Sequence, residues 1–271
     1  MSTDLAAFKD NQRRLWAAGD YSVTARRFED VARGLVAACG LGPGMRALDV
    51  GAGTGNVALA IAASGASPEA CDLTPQLVEA GRARCDALGE WEIPWEVADA
   101  EELPYSSGRF DAVLSVFGLI LAPRPEVAIA EAFRVTRSGG CVGFTSWTPG
   151  SAPARFGAVA AKYFPQPQDP PPPPHEWGEE EICRARLAPW AVDVTFERGN
   201  VRWSWPSAAA AREEAEESNN FVAAARAELS QERYMAFLDD ADDVMRAMNI
   251  ATDGGLTYDA EYARVVARKA G

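Results

Sequence analysis

Arg46-Ala47-Leu48-Asp49-Val50-Gly51-Ala52-Gly53-Thr54-Gly55-Asn56-Val57-Ala58-Leu59-Ala60 is the stretch that decides the fold. Its first five residues are typical of a short buried strand, glycine then stands at every second position, and an apolar helix follows. Glycine is used where a backbone must turn tightly or approach a ligand without an intervening Cβ. In a parallel α/β sheet such a turn lies at the carboxyl end of the first strand, where ligands bind. The stretch therefore predicts a ligand-binding crevice.

Strand-like and helix-like segments alternate on both sides of this turn. Short apolar or extended segments favour strands at 46–50, 69–73, 95–98, 110–117, 141–147, 192–205 and 262–267. Segments with helical spacing lie between them, among them 57–63, 74–88, 125–135, 207–229 and the stretch that ends near 248. This alternation predicts a doubly wound, mostly parallel, seven-stranded α/β sheet.

Further helices are predicted to cover the sheet. Helical spacing over the first 18 residues and over 24–39 indicates an N-terminal helical cover at 1–40, ahead of a sheet domain at 41–271. Within that domain we expect 148–190 and 206–250 to be loop and helical lid insertions. Six prolines between Gln166 and Pro174 predict an extended surface loop in the first insertion.

Charge and composition restrict the possible partners. The chain has 26 lysines and arginines against 39 aspartates and glutamates, a net charge of −13, which disfavours nucleic acid or an anionic membrane and indicates a small substrate. No apolar run approaches the ~20 residues of a transmembrane helix. The N-terminus lacks a charged-then-apolar leader pattern, so we expect cytoplasmic residence. The five cysteines include no C-x-x-C pair and are expected to be reduced, buried thiols without a metal.

Three acids lie at the ends of the first three predicted strand segments: Asp49 within the first, Asp72 at the end of the second and Asp99 after the third. Strand ends converge on one crevice, so these carboxylates could line a single elongated ligand. Asp72, about 20 residues beyond the glycine turn, suits a hydrogen bond to ribose hydroxyls. A dinucleotide-binding G-x-G-x-x-G motif would need glycine at 56, where the chain has Asn56. Because Asp72 fits a dinucleotide site but Asn56 departs from its glycine motif, an NAD(P)-dependent oxidoreductase on a similar fold is kept as the alternative interpretation.

The blocks that follow the turn carry a family resemblance. Leu48 to Gly55 resembles the first motif of class I S-adenosylmethionine-dependent methyltransferases, and three further blocks occur in the expected order, at 71–75, 97–104 and 110–113. The segment 134–140 resembles the family's approach to its fifth strand, with Ser138 where proline is usual. The resemblance covers about residues 20–147 and implies S-adenosylmethionine as cofactor and a small-molecule methyl acceptor as partner. Oligomeric state is left open, with a homodimer as one possibility.

The resemblance also implies a role for each matched position. Gly51, Ala52 and Gly53 would cradle the methionine part, with Asp49 supporting its amino group. The ribose and adenine would be held at Asp72, Leu73, Asp99 and Ala100, with Glu101 adjacent. Ser115 would lie beside the sulfonium. Tyr21 and Asn56 complete the predicted cofactor contacts.

The acceptor side is less constrained by sequence. Trp16, Phe117 and Trp147 are the expected substrate-binding residues, the last two because they end strands on the ligand side. His175 is the only histidine and is the one candidate for a catalytic base, which is needed only if the acceptor carries a proton at working pH. In-line alignment of acceptor, methyl and sulfur supplies much of the rate of methyl transfer. A protein that binds the cofactor without transferring its methyl group, such as a cyclase, is the second alternative.

Overall fold

Strand β1 (Arg46–Val50) lies at the centre of the fold, and four of its five residues are buried. The computed structural model describes residues 3–165 and 169–271, and over these ranges β1 belongs to a seven-stranded sheet. The strands, in chain order, are β1, β2 (Ser67–Asp72), β3 (Trp95–Val97), β4 (Phe110–Val116), β5 (Thr136–Trp147), β6 (Ala191–Trp205) and β7 (Leu256–Lys269).

The sheet order places a crevice beside β1. The strands are arranged β3-β2-β1-β4-β5-β7-β6, with β1 to β5 parallel and β7 antiparallel to both of its neighbours. The chain proceeds from β1 to β2 on one side and returns to β4 on the other. The topological switch point therefore lies between the carboxyl ends of β1 and β4. The predicted doubly wound, mostly parallel, seven-stranded sheet is confirmed.

Helices cover both faces of the sheet. In chain order they are α1 (Thr3–Ala17), α2 (Tyr21–Ala25), α3 (Glu29–Cys39), α4 (Asn56–Ala63), α5 (Pro75–Leu88), α6 (Pro125–Val135), α7 (Ala152–Tyr163), α8 (Glu180–Leu187), α9 (Ala208–Ser218), α10 (Asn220–Glu228) and α11 (Gln231–Met248).

Alternation along β1 decides which helices pack on which face. Leu48 and Val50 point into a core shared with α6, which contributes Ile129 and Phe133. Ala47 points to the opposite face, into a core shared with α3 and α4. Burial on both faces requires the nearly continuous apolar character of β1 and β4.

Several boundaries differ from the sequence prediction. Strand β5 begins at Thr136 rather than at residue 141, since 136–140 continue alongside β4 through a register shift. Strand β7 begins at Leu256 rather than 262 because its first residues pair with the end of β6. The helix predicted over 207–229 is broken at Asn219, whose side chain accepts hydrogen bonds from the amides of Phe221 and Val222 and so begins α10.

The structure describes most of the predicted N-terminal cover and of the two predicted lid insertions. Helices α1 to α3 precede the sheet, and α9 to α11 connect β6 to β7. Residues 166–168 of the predicted proline-rich loop, and the first two residues of the predicted first helix, lie outside the described residues. The division into an N-terminal cover, one sheet domain and two lid insertions stays a prediction. Within the ranges described, every helix is too short or too polar to cross a membrane.

Candidate functional site

A cleft opens at the carboxyl ends of β1, β2, β3 and β4, under helix α1. It encloses about 780 Å³ of space, a figure that includes space open to solvent. The lining residues come from α1 and its following turn, from the four strand ends, and from the loop before α6: Lys9, Gln12, Trp16, Tyr21, Val50, Gly51, Gly53, Asp72, Leu73, Thr74, Leu77, Ala98, Asp99, Ala100, Val116, Phe117, Gly118, Leu121, Ala122 and Pro123.

Two glycines allow the turns after β1 and β4 to touch at the switch point. A Cβ on Gly118 would lie 2.8 Å from the carbonyl oxygen of Gly51, and a Cβ on Gly51 would lie 2.9 Å from the Gly118 Cα. Gly51 also has a φ of +65°, which L side chains rarely adopt. At Gly53 a Cβ would lie 3.1 Å from the ring of Tyr21, so this aromatic side chain closes over the glycine turn.

Asp72 braces the glycine turn from the end of β2. Its two carboxylate oxygens accept hydrogen bonds from the amides of Gly53 (2.9 Å) and Thr74 (2.8 Å). The side chain is buried yet lines the cleft. Burial raises the pKa of Asp72, and these two backbone amides oppose that rise. The carboxylate thus has a fixed orientation toward the cleft.

Asp49 lies beneath the turn and keeps one oxygen without a partner. Its Oδ2 accepts from the amide of Ala58 at 2.9 Å, whereas Oδ1 is buried and accepts no hydrogen bond from the described residues. Burial raises the pKa of Asp49 to about 8. A small cavity of the same region is lined by Asp49, Tyr21, Ala52 and Asn56. An unpaired buried carboxylate oxygen in this position calls for a hydrogen-bond donor or a cation.

Asp99 lies at the far end of the cleft and is held by α1. Its Oδ2 is 2.6 Å from the ammonium of Lys9, and its Oδ1 accepts from the amide of Glu101 at 2.9 Å. Leu73 and Ala100 also line this end of the cleft. The three predicted acids are therefore brought to one cleft and its underside, in the order Asp49, Asp72, Asp99.

Phe117 borders the cleft in an unusual conformation. Within the described residues it is the one non-glycine residue with a positive φ, at 58°, and such outliers cluster at functional sites. Its ring stacks on Trp147 at 3.8 Å between centroids. Trp147 itself does not line the cleft, so the structure places one predicted substrate residue at the cleft and the other behind it. Trp16 and Tyr21 line the cleft as well.

Two predicted cofactor residues, Ser115 and Asn56, have mainly internal partners. Ser115 donates to the Val50 carbonyl (2.6 Å) and accepts from the Leu119 amide, and so ties the β4 turn to β1. Asn56 donates to the carbonyl of Ala25 and accepts from Arg84. Ser115 is buried outside the cleft lining and its hydroxyl is paired with backbone groups, so its predicted contact with a cofactor stays a prediction.

Glu101 and His175 also lie outside the cleft lining. The carboxylate of Glu101 is 1% exposed and is paired with Lys9 and Arg124. His175 belongs to a short 3₁₀ turn, Pro174–Gly178, that packs against β5. The structure does not bring it to the predicted cofactor residues, so it lends no support to His175 as a base.

The sequence analysis named Trp16 and Phe117, but it missed Lys9 and Gln12 on α1 and Gly118 in the turn after β4. Lys9, Gln12 and Trp16 are spaced by three and four positions and so lie on one side of the helix, which faces the cleft. That spacing could have identified the lining residues once Trp16 was chosen. Gly118 was missed as well. It directly follows Phe117, the aromatic residue at the end of the predicted strand, and this position could have identified it.

The charges of the cleft favour a cationic ligand. Asp49, Asp72 and Asp99 contribute three carboxyl groups, of which Asp49, with a pKa of about 8, ionises readily only when a cation lies beside it. Among the described residues that line the cleft Lys9 is the one cation, already paired with Asp99. A pyrophosphate would meet carboxylates here without a free positive group to neutralise it. A ligand with an ammonium and a sulfonium fits, since Asp49 offers an unpaired oxygen and the glycine cradle admits close approach.

The sequence is similar to methyltransferases and to uncharacterised bacterial proteins. The family profile described as a methyltransferase domain matches residues 47–140. An uncharacterised protein of Mycobacterium bovis is 38% identical over 192 residues, which cover 70% of this chain and 69% of that protein. A ubiquinone/menaquinone biosynthesis C-methyltransferase of Cereibacter sphaeroides is 38% identical over 101 residues, 36% of this chain and 40% of that enzyme.

Solved structures share the fold at low identity. A Bacillus halodurans protein assigned as a methyltransferase has a TM-score of 0.59 and 17% identity, covering 89% of this chain and 99% of that one. A phosphoethanolamine N-methyltransferase of Haemonchus contortus, solved with phosphomonomethylethanolamine and S-adenosylhomocysteine, has a TM-score of 0.55 and 18% identity. That likeness covers 89% of this chain and 53% of the other. At these identities the likeness shows the fold.

Proposed function

Because this chain belongs to the class I S-adenosylmethionine-dependent methyltransferases, we propose that it methylates a small, partly apolar metabolite on oxygen, nitrogen or carbon. The observation that carries the proposal is one cleft with two unlike ends. Acidic groups line the part between Asp49 and Asp99, and aromatic and apolar groups line the part around Phe117. The first part suits a cationic donor, and the second suits an apolar acceptor.

The donor is S-adenosylmethionine, and we assign its contacts from one end of the cleft to the other. The turn at Gly51 and Gly53 holds the methionine part, with the free oxygen of Asp49 directed to its ammonium. Asp72 accepts from the ribose hydroxyls. Asp99, with the Ala100 backbone, recognises the adenine. The support for this order is the register of the strands, which places the three acids along one edge.

The acceptor is assigned to the space bordered by Trp16, Tyr21, Phe117 and the segment 121–123. This part of the cleft has aromatic rings on two sides and an apolar floor that begins at Val116. Such surroundings bind an apolar body and leave few polar groups to orient it. The net charge of −13 and the overlying α1 speak against a nucleic acid or a bulky protein acceptor.

The residues act mainly by placing and enclosing the reactants. When bound, the cofactor supplies an electrophilic methyl group on a positively charged sulfur. Tyr21 and Trp16 close the cleft from above, which excludes water and strengthens the carboxylate fields inside it. Phe117, held by Trp147, limits the positions that an acceptor occupies beside the glycine turn. Alignment of this kind supplies ~7–11 kcal/mol of a barrier in favourable cases.

Methyl transfer is tested with the full-length chain and S-adenosylmethionine that carries tritium in its methyl group. A panel of phenols, quinols, amines and carboxylic acids is incubated with the enzyme, and label is counted in the extracted product. We expect transfer to at least one apolar member, and reduced transfer by Asp72→Ala at cofactor concentrations near the wild-type Kd. Thermal stabilisation by NAD and none by S-adenosylhomocysteine would refute the proposal. Cofactor binding with product formation but unlabelled product would instead support the non-methylating alternative.

A further inference from the structure

Lys9 is a buried cation that the proposed chemistry does not use. It is 4% exposed, although lysine is almost never buried unless it is paired. Its ammonium lies 2.6 Å from Asp99 Oδ2 and 2.5 Å from Glu101 Oε2. Charge-assisted contacts of this length in a site shielded from water are strong and directional.

Glu101 is the centre of this network. Besides Lys9, it accepts from the backbone amide of Arg124 at 2.7 Å and from the Arg124 guanidinium at 2.7 and 3.0 Å. The network therefore joins α1, the loop after β3 and the loop before α6. It also sets two carboxylates, Asp99 and Glu101, beside one another with Lys9 between them.

Helix α1 is attached at its other end as well. The carboxamide of Asn220 donates to the carbonyls of Leu15 (3.3 Å), Trp16 (3.2 Å) and Ala18. Between the two attachments, Gln12 and Trp16 face the cleft. The position of this roof over the cleft thus depends on a hydrogen-bonded anchor at its end and on an ionic anchor at Lys9.

We propose that Lys9 is a positioning residue that couples closure of α1 to recognition of the adenine amine by Asp99, an inference that rests on the proposed function. Lys9 neutralises the repulsion between Asp99 and Glu101 and holds Oδ2 of Asp99, while the Glu101 amide holds Oδ1. Both oxygens are thereby fixed, and their remaining lone pairs are presented in a constant direction. Without Lys9 the two like charges repel, so Asp99 turns away and α1 loses its ionic anchor.

The test compares two ligands that differ at the adenine amine. Dissociation constants are measured by calorimetry for S-adenosylhomocysteine and for S-inosylhomocysteine, which carries a carbonyl where adenine has its amine. We expect the wild type to favour the adenosyl ligand at least tenfold. In Lys9→Met this preference falls to threefold or less, mainly through weaker binding of the adenosyl ligand. Lys162→Met is the matched control, because Lys162 is 63% exposed and pairs with Asp240 on the surface.

A second readout follows the helix itself. Backbone hydrogen exchange over residues 3–17 slows when S-adenosylhomocysteine binds to the wild type and to Lys162→Met, and it stays unchanged in Lys9→Met. If Lys9→Met is unfolded in a thermal melt, Lys9→Gln is measured in its place.

The possible failures are distinct. If Lys9→Met weakens both ligands by the same factor, Lys9 acts through general stability and the inference is overturned. Unaltered preference in the variant overturns it equally. If the wild type binds neither ligand, or binds both alike, the adenine assignment of the proposed function is what fails.

Discussion

Asp72 offers the most direct residue-scale test of the cofactor assignment. Replacing it by alanine removes a charged acceptor from the ribose hydroxyls and leaves the amides of Gly53 and Thr74 unpaired. Loss of a hydrogen bond to a charged group costs ~1–3 kcal/mol, which corresponds to roughly 5- to 150-fold weaker binding of S-adenosylhomocysteine in calorimetry. Asp86→Ala, at an exposed position on the neighbouring helix, should bind as the wild type does. Equal affinity of both variants would mean that Asp72 is not the ribose acceptor.

Asp49 gives the binding equilibrium a pH dependence. Its pKa of about 8 leaves the carboxyl mostly protonated at pH 6 to 7 before ligand binds. A ligand ammonium beside Oδ1 favours the ionised form, so binding releases a proton and the affinity for S-adenosylhomocysteine rises with pH, levelling off above about 8. Calorimetry in buffers of different ionisation enthalpy measures the released proton. Asp49→Asn should abolish both the release and the slope, and proton uptake by the wild type would contradict the assignment.

The same raised pKa has the opposite effect on stability of the ligand-free protein. The folded state binds the Asp49 proton more tightly than the unfolded chain does, so this contribution to the free energy of unfolding is present at low pH. It is lost as the pH rises from the unfolded value of about 3.9 toward about 8. Ligand binding and ligand-free stability should therefore respond to pH in opposite directions at this residue.

At the scale of elements, the junction of β1 and β4 is the part of the site least able to change. Gly118→Ala would place a methyl group 2.8 Å from the Gly51 carbonyl oxygen, and overpacking against backbone costs ~1–3 kcal/mol. We expect a lower melting temperature and weaker binding of S-adenosylhomocysteine. Gly157→Ala on α7 meets nothing within 4 Å and should leave the melting temperature equal or slightly higher. Gly118→Ala with unchanged stability would show that the two turns separate readily.

Most elements could be predicted because their signals are local. Strand β4 was predicted within one residue since its apolar run is continuous, and Gly40 and Gly89 adopt the left-handed conformation that ends the helices before them. The beginning of β5 was missed because Arg137, Ser138 and two glycines are typical of a turn. Within this segment only Thr136 is in register with β4, opposite Phe110, and regular pairing resumes at Cys141 after a register shift, so the strand begins early through a tertiary contact.

Site residues could be predicted where an acidic side chain stands at the end of a strand. They could not be predicted where their role depends on packing between segments that are distant in sequence. Asp72 and Asp99 follow strands, so topology alone brings them together. Nothing local distinguishes Lys9 from a solvated lysine on an amphipathic helix, since its partners are 90 and 92 residues away. The orientation of the Ser115 hydroxyl could not be predicted either, because it is determined by the backbone of Val50 and Leu119.

At the scale of the whole molecule, the cysteines report on integrity of the core. All five are free and buried, on both faces of the sheet and in α8. We expect the folded protein to react slowly with a thiol reagent, whereas all five thiols of the unfolded protein should react at once. The melting temperature should be the same with and without reductant. Rapid reaction of one thiol in the folded state would show that the core opens locally near that cysteine.

The attachments of α1 also have a consequence for the order in which a nascent chain acquires its parts. This helix is synthesised before its partners: the ionic partners of Lys9 follow 90 and 92 residues later, and Asn220 follows about 200 residues after the end of α1. At ~5–20 residues per second, synthesis therefore completes the central strands before the residue that fastens the end of α1 exists. The ionic anchor of α1 therefore becomes available before the anchor at its end, so we expect α1 to be held over the cleft at Lys9 alone until Asn220 has been made.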